Sequence, residues 1–150
     1  MRIALITGGA SGLGLASARR LAEDGLTIAV ADLKADAAAA AAAQLPGSGH
    51  IGLAIDVTSE ASIRAAFDAV QGKLGPVTVL ACFAGILSTS PTPGRLPTTD
   101  ISIDEWDRVM QVNARGSFLC IREMLRRTTA PVEQGRIITV ASLAGQIGGL

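Results

Sequence analysis

The chain has 150 residues and a mass of 15.2 kDa, enough for one domain with a core and too little for two. Its 13 basic side chains balance 13 acidic ones, which argues against nucleic acid or an anionic membrane surface as a partner, since both recruit a basic excess. A mean hydropathy of +0.42 with 17% charged residues excludes disorder, and 3% aromatic residues with no tyrosine leaves a core of Ala, Val, Ile and Leu.

Short apolar runs rich in β-branched residues alternate with longer helical stretches. Arg2–Thr7 is predicted as a first strand, followed by a glycine turn and a helix from about Gly12 to Asp24, closed by Gly25. Thr27–Ala31 is a second strand, and Leu26–Ala31, the longest apolar stretch, is too short for a membrane span. No secretory signal is expected, because the apolar residues after Met1 run at once into glycines. Ala35–Gln44 reads as a helix whose small side chains lie close over a sheet, ended by Pro46-Gly47. His50–Ile55 is a third strand, with His50 taken as a surface turn residue, and Ser59 caps a helix to about Gly72. Val77–Cys82 is a fourth strand, Ser88–Thr99 an irregular loop, Ile103–Arg127 one long helix opened by Ser102, and Arg136–Val140 a fifth strand. Core packing is expected to account for most of the apolar stripe Trp106, Met110, Phe118 and Met124 on that helix. Strands that are continuously apolar indicate a parallel sheet buried on both faces, with right-handed crossovers: an α/β, doubly wound, Rossmann-type layout. Cys82 and Cys120, far apart in apolar contexts, are expected as buried free thiols of a cytoplasmic protein.

Chemistry concentrates where the first strand meets the first helix, in Thr7-Gly8-Gly9-Ala10-Ser11-Gly12-Leu13-Gly14. Residues without Cβ permit a tight turn and close approach to a pyrophosphate, whose charge the helix N-terminus then holds. A purely structural tight turn is the alternative. A Walker-type loop is excluded, because no Gly-Lys-Ser/Thr follows. The second strand ends at Asp32, eighteen residues after Gly14. A carboxylate there accepts from both adenosine ribose hydroxyls and repels a 2′-phosphate. With Ser11 and Leu33 beside it, and Lys34 read as a solvated surface charge, NAD is favoured over NADP. Asp32 is also placed to serve as an N-cap of the next helix.

With these residues the chain resembles the short-chain dehydrogenase/reductase family, over its whole length. The glycine loop is similar to the family's Thr-Gly-x-x-x-Gly-x-Gly signature, Asp56-Val57 to its adenine-contacting pair, and Asn113 to its catalytic-helix asparagine. Gly135–Ser142 resembles the strand carrying the catalytic serine, which places that role on Ser142. The resemblance implies a catalytic set of Ser142 and Asn113. It implies a cofactor set of Gly8, Ser11, Gly12, Leu13, Gly14, Asp32, Leu33, Asp56, Val57, Phe83, Ala84 and Gly85, with NAD bound and no metal.

Two departures stand out. The family's Asn-Asn-Ala-Gly reads Cys82-Phe83-Ala84-Gly85, so the asparagines' hydrogen bonds, one of which braces the sheet, are lost. The family's Tyr-x-x-x-Lys, which transfers the proton and holds the nicotinamide ribose, would begin just beyond Leu150. The 150 residues are therefore expected to be the N-terminal part of a longer enzyme interconverting a secondary alcohol and a ketone, inactive by themselves. The apolar edge Ile137-Ile138-Thr139-Val140 would otherwise stand exposed. The resemblance also implies a homo-oligomer, dimer or tetramer, through the outer face of the 103–127 helix. A non-catalytic NAD-binding or regulatory module is the alternative.

Overall fold

Residues 2–88, 97–128 and 135–143 are described in a computed structural model. Five strands form one sheet: β1 (Ile3–Thr7), β2 (Thr27–Asp32), β3 (Ile51–Ala54), β4 (Val79–Cys82) and β5 (Arg136–Thr139). All neighbours run parallel, in the order β3-β2-β1-β4-β5, with Leu5 of β1 level with Ala29 of β2 and Leu80 of β4. The helices are α1 (Gly12–Glu23), α2 (Ala35–Ala43), α3 (Glu60–Lys73), α4 (Ile103–Met110) and α5 (Ser117–Arg127).

Successive strand residues point to opposite faces, so each apolar run feeds two cores. Ile3, Leu5, Ala29, Ala31, Leu80 and Cys82 pack under α3 and α5, where Ile63, Phe67, Val70, Leu119, Cys120 and Met124 meet them. Ala4, Ile6, Ile28, Val30, Val79 and Ala81 face α1 and α2 through Ala18, Ala22, Ala38, Ala41 and Ala42. The alanine-rich helix does lie close over the sheet: a Cβ on Gly52 of β3 would collide with the Ala38–Ala39 peptide. Ser59 and Ser102 cap α3 and α4, accepting from the N–H groups of Ser62 and Glu105.

Several expectations need correction. Burial on both faces holds for β1, β2 and β4, but β3 is only half-buried and β5 is exposed along its length, because among the described residues each has a neighbouring strand on one side only. The long helix is interrupted by a π-helical segment, Gln111–Gly116, within which Gly116 lies so close to Val57 that a Cβ would stand 2.8 Å from its Cγ2. Of the apolar stripe only Met124 is buried; Trp106, Met110 and Phe118 are exposed. Burial needs an adjacent layer, and α4, with no described strand packed closely on it, buries none of its residues. His50 is half-buried rather than a surface residue. Its Nδ1 accepts from the Ile28 N–H (3.0 Å), so Nε2 carries the proton and donates to the Pro46 carbonyl (2.8 Å). In the Ser88–Thr99 loop, positions 89–96 lie outside the described residues, and Thr98–Asp100 forms a 3-10 turn. Cys82 and Cys120 are buried free thiols, as expected.

Candidate cofactor and active site

The strand order reverses direction between β1 and β4, and in open parallel sheets the crevice at that reversal is where ligands sit. A cavity of about 480 Å³ opens there, at the C-terminal ends of the strands. All twelve predicted cofactor residues line it. Gly8, Ser11, Gly12, Leu13 and Gly14 come from the β1–α1 turn, and Asp32 and Leu33 from the end of β2. Asp56 and Val57 follow β3, and Phe83, Ala84 and Gly85 follow β4. Ile55, Ile86, Val112 and Val140, none of them singled out from the sequence as site residues, complete the wall.

The turn is shaped by backbone contact. Gly8 has φ +65°, and a Cβ there would stand 2.7 Å from the Ala84 nitrogen; a Cβ on Gly14 would collide with the Gly8 carbonyl oxygen. At Gly12, by contrast, a Cβ would meet nothing within 4 Å, so this part of the turn borders open space. The first intrahelical bond of α1 runs from the Leu15 N–H to the Ser11 carbonyl (3.0 Å), and no hydrogen bond from the Ser11 side chain caps the helix. The N–H groups of Gly12, Leu13 and Gly14 are thus left outside the helical ladder, at the positive end of the helix dipole. Open space beside uncapped N–H groups fits the phosphates of a dinucleotide.

Asp32 does not cap α2, whose N-cap position is Lys34. Its Oδ2 accepts from the Ala10 N–H (3.2 Å), and the Gly9 N–H donates to the Ala31 carbonyl (3.1 Å). These two bonds fasten the glycine turn to the end of β2. Two carboxylates, Asp32 and Asp56, face the cavity, and no lysine or arginine lines it among the described residues.

Beyond β4 the chain is held residue by residue. The Phe83 N–H donates to the Thr7 carbonyl (3.0 Å) and the Ala84 N–H to the Thr7 hydroxyl (3.3 Å). Thr7 therefore ties this segment to β1 at the place where the family's asparagines are missing. Asn113 lies in the π-helical segment and does not itself line the cavity. Its Oδ1 accepts from the Ile86 N–H and its Nδ2 donates to the Ile86 carbonyl, both at 2.8 Å. Arg108 Nη2 donates to the Leu87 carbonyl (3.2 Å) while the same guanidinium grips Glu105. Ser142 is exposed, two residues past Val140 of the cavity wall, and is not itself a lining residue. The positioning roles of Arg108 and Thr7 were not anticipated; the Glu105–Arg108 spacing on a helix face was the available signal for the former.

Burial pushes the Cys82 thiol up to about 11, against a lowering hydrogen bond with Ser117. Burial, and then the nearby Cys82, pushes the Cys120 thiol up to about 12. Both are protonated and unreactive near neutral pH, so neither is a nucleophile here.

The family model for short chain dehydrogenases matches residues 2–150. The chain belongs to the short-chain dehydrogenase family. The chain is 36% identical over 148 residues to D-threitol dehydrogenase of Mycolicibacterium smegmatis, a match covering 97% of the chain and 54% of that protein. It is 37% identical over 147 residues to 2-dehydro-3-deoxy-L-rhamnonate dehydrogenase (NAD(+)) of a Sphingomonas species, covering 98% and 56%. It is 35% identical over 149 residues to cis-4-hydroxycyclohexanecarboxylate dehydrogenase of Sinomonas cyclohexanicum, covering 98% and 57%. The chain spans about half the length of these relatives. Among solved structures, one described as a ribose-5-phosphate isomerase from Brucella melitensis matches with a TM-score of 0.86 and 34% identity, over 99% of this chain and 54% of that one. Among the described residues no helix is long and apolar enough to cross a membrane.

Proposed function

We propose that the intact protein is an NAD-dependent oxidoreductase interconverting a secondary alcohol and a ketone. The observation that carries this reading is Asp32, whose carboxylate shares one cavity with the uncapped start of α1 and, among the described residues, has no cationic lining residue beside it. The strand order supports a single placement of the dinucleotide. The start of α1, at β1, suits the pyrophosphate, and Asp32, at β2, suits the adenosine ribose. The adenine then falls at β3, against Asp56 and Val57, and the nicotinamide ribose at β4, against Ala84 and Gly85. A 2′-phosphate would meet the Asp32 carboxylate, which favours NAD over NADP; one relative carries NAD(+) in its name.

Bound nicotinamide would supply or accept the hydride, chemistry that belongs to the cofactor. The chain's own residues orient and polarise. Ser142 is assigned to hydrogen-bond the substrate oxygen. Asn113, whose amide spans both main-chain groups of Ile86, holds the segment beside the nicotinamide end, and the family resemblance assigns it the positioning of a water in the proton relay. Proton transfer is assigned to a tyrosine and lysine beyond Leu150, since these residues offer no tyrosine and both thiols are held protonated. The exposed apolar face of Trp106, Met110, Phe118 and Leu125 supports a homo-oligomer, and the reduced thiols support a cytoplasmic location, checked by cell fractionation.

Calorimetric titration of the full-length protein with NAD and NADP tests the cofactor assignment. NAD is expected to bind at least about tenfold tighter, and equal or reversed affinities would sink it. The coding sequence past Leu150 tests the reaction: Tyr-x-x-x-Lys directly downstream is expected, and a stop codon there would leave a non-catalytic NAD-binding module.

A further inference from the structure

Asp56 is the most thoroughly fixed acidic group of the cavity. Its Oδ1 accepts twice from Thr58, from the main-chain N–H at 2.9 Å and from the hydroxyl at 2.7 Å. Its own N–H donates to the Ser62 hydroxyl (2.9 Å), and its carbonyl accepts from the Ser59 N–H (3.1 Å). Ser62 is in turn held by the Ser59 cap (3.3 Å). Thr58 thus locks one oxygen of the Asp56 carboxylate, while Ser59 and Ser62, at the start of α3, lock its main chain. Asp56 lines the cavity, while Thr58, Ser59 and Ser62 do not. Whatever Thr58 contributes to a ligand, it contributes through Asp56.

A carboxylate with one oxygen committed has a fixed plane, and its other oxygen is left as an acceptor that donates nothing. Such a group is complementary to an exocyclic amine. Opposite a ring carbonyl it places oxygen against oxygen with no proton between them, and buried polar groups left unpaired are what make hydrogen-bonding sites selective. We infer that Thr58 is a positioning residue that sets the Asp56 carboxylate to select a 6-amino purine over a 6-oxo purine in the bound dinucleotide. This rests on the adenine placement proposed above. The Asp56-Val57-Thr58 spacing is the pattern by which an Asp side chain bonds the main chain two residues on, so the lock is local and survives changes elsewhere.

The test compares NAD with nicotinamide hypoxanthine dinucleotide, which carries a carbonyl in place of the adenine amine. Affinities of the full-length protein are measured by titration, alongside thermal melting. The wild type is expected to favour NAD by about tenfold or more. Thr58→Val keeps the shape and the main-chain bond but loses the hydroxyl, and is expected to reduce that ratio severalfold, chiefly by weakening NAD. Thr58→Ser, which retains the hydroxyl, is expected to restore it. Asp56→Asn, whose amide can donate to a carbonyl, is expected to abolish or invert the preference. If Thr58→Val weakens both dinucleotides equally, or neither, while Asp56→Asn loses the preference, Thr58 is only structural and the inference is overturned with the adenine placement intact. If Asp56→Asn leaves the preference unchanged, the adenine placement itself fails.

Discussion

At the scale of single residues, Asp32 has two tasks with different chemical demands. Holding Ala10 needs only an acceptor, whereas selecting NAD needs negative charge facing the ribose. Asp32→Asn keeps an acceptor and loses the charge; Asp32→Ala loses both. Both variants are expected to relax the preference for NAD over NADP, with NAD affinity falling roughly tenfold in the alanine variant. Only Asp32→Ala should also lower the melting temperature appreciably, because only it releases the glycine turn from β2. Titration with both dinucleotides and a thermal melt separate the two effects, and an unchanged NAD/NADP ratio in Asp32→Ala would remove Asp32 from the ribose assignment. The Asp32 position was legible from strand–turn–helix order. Its bond to Ala10 was not, because nothing in the spacing says which way a strand-end carboxylate turns.

At the scale of elements, α2 shows why its run of alanines is not idle sequence. Ala38, Ala41 and Ala42 are buried, and Gly52 lets the helix backbone rest directly on β3. A methyl group at Gly52 would press on the Ala38–Ala39 peptide, which cannot swing aside as a side chain would. Gly52→Ala is therefore expected to destabilise the protein by about 1–3 kcal/mol, the usual cost of overpacking, despite the better strand propensity of alanine. Urea denaturation measures it, and a neutral or stabilised variant would mean that α2 can lift off β3 freely. The π-helical segment is the element that sequence reasoning missed. Helical periodicity does not register a single widened turn, and the contact of Gly116 with Val57 joins segments that lie far apart in the chain.

At the scale of the whole molecule, α3 and α5 are joined across one face of the sheet by ion pairs. Arg122 Nη2 reaches Glu60 Oε2 at 2.7 Å, and Arg127 reaches Asp68 at 2.7 Å while its guanidinium lies over the Phe67 ring. The hydrogen bond and charge of Arg122, aided by Arg64, hold the Glu60 carboxyl below its ordinary value of 4.5. A carboxyl lowered by folding binds fewer protons folded than unfolded. Its contribution is thus complete above the unfolded value and is lost as the pH falls through the lower folded one. Stability is expected to decline in that acidic window and to decline less in Glu60→Gln; matching denaturation curves at a series of acidic pH values for the two proteins would contradict this. The apolar face of Phe118 and Leu125, both more than half exposed, belongs to the same scale. Phe118→Asp is expected to shift the protein toward smaller species in sedimentation velocity, and an unchanged distribution would place the contact between copies elsewhere.

The sequence by itself determined the α/β alternation, the glycine turn and the acidic residues at the strand ends. Each of these is written in local signals: period, Cβ-free residues, caps, and the residue type at the end of an apolar run. The absence of tyrosine from these 150 residues was equally plain. Only the tertiary structure decided that twelve residues from four separate segments line one cavity. It alone placed Thr7 where the family's asparagines are missing, bonded Asn113 to Ile86, and left Trp106 and Phe118 outside the core. Those outcomes depend on contacts between residues distant along the chain, and so on which layers the sheet places beside each element.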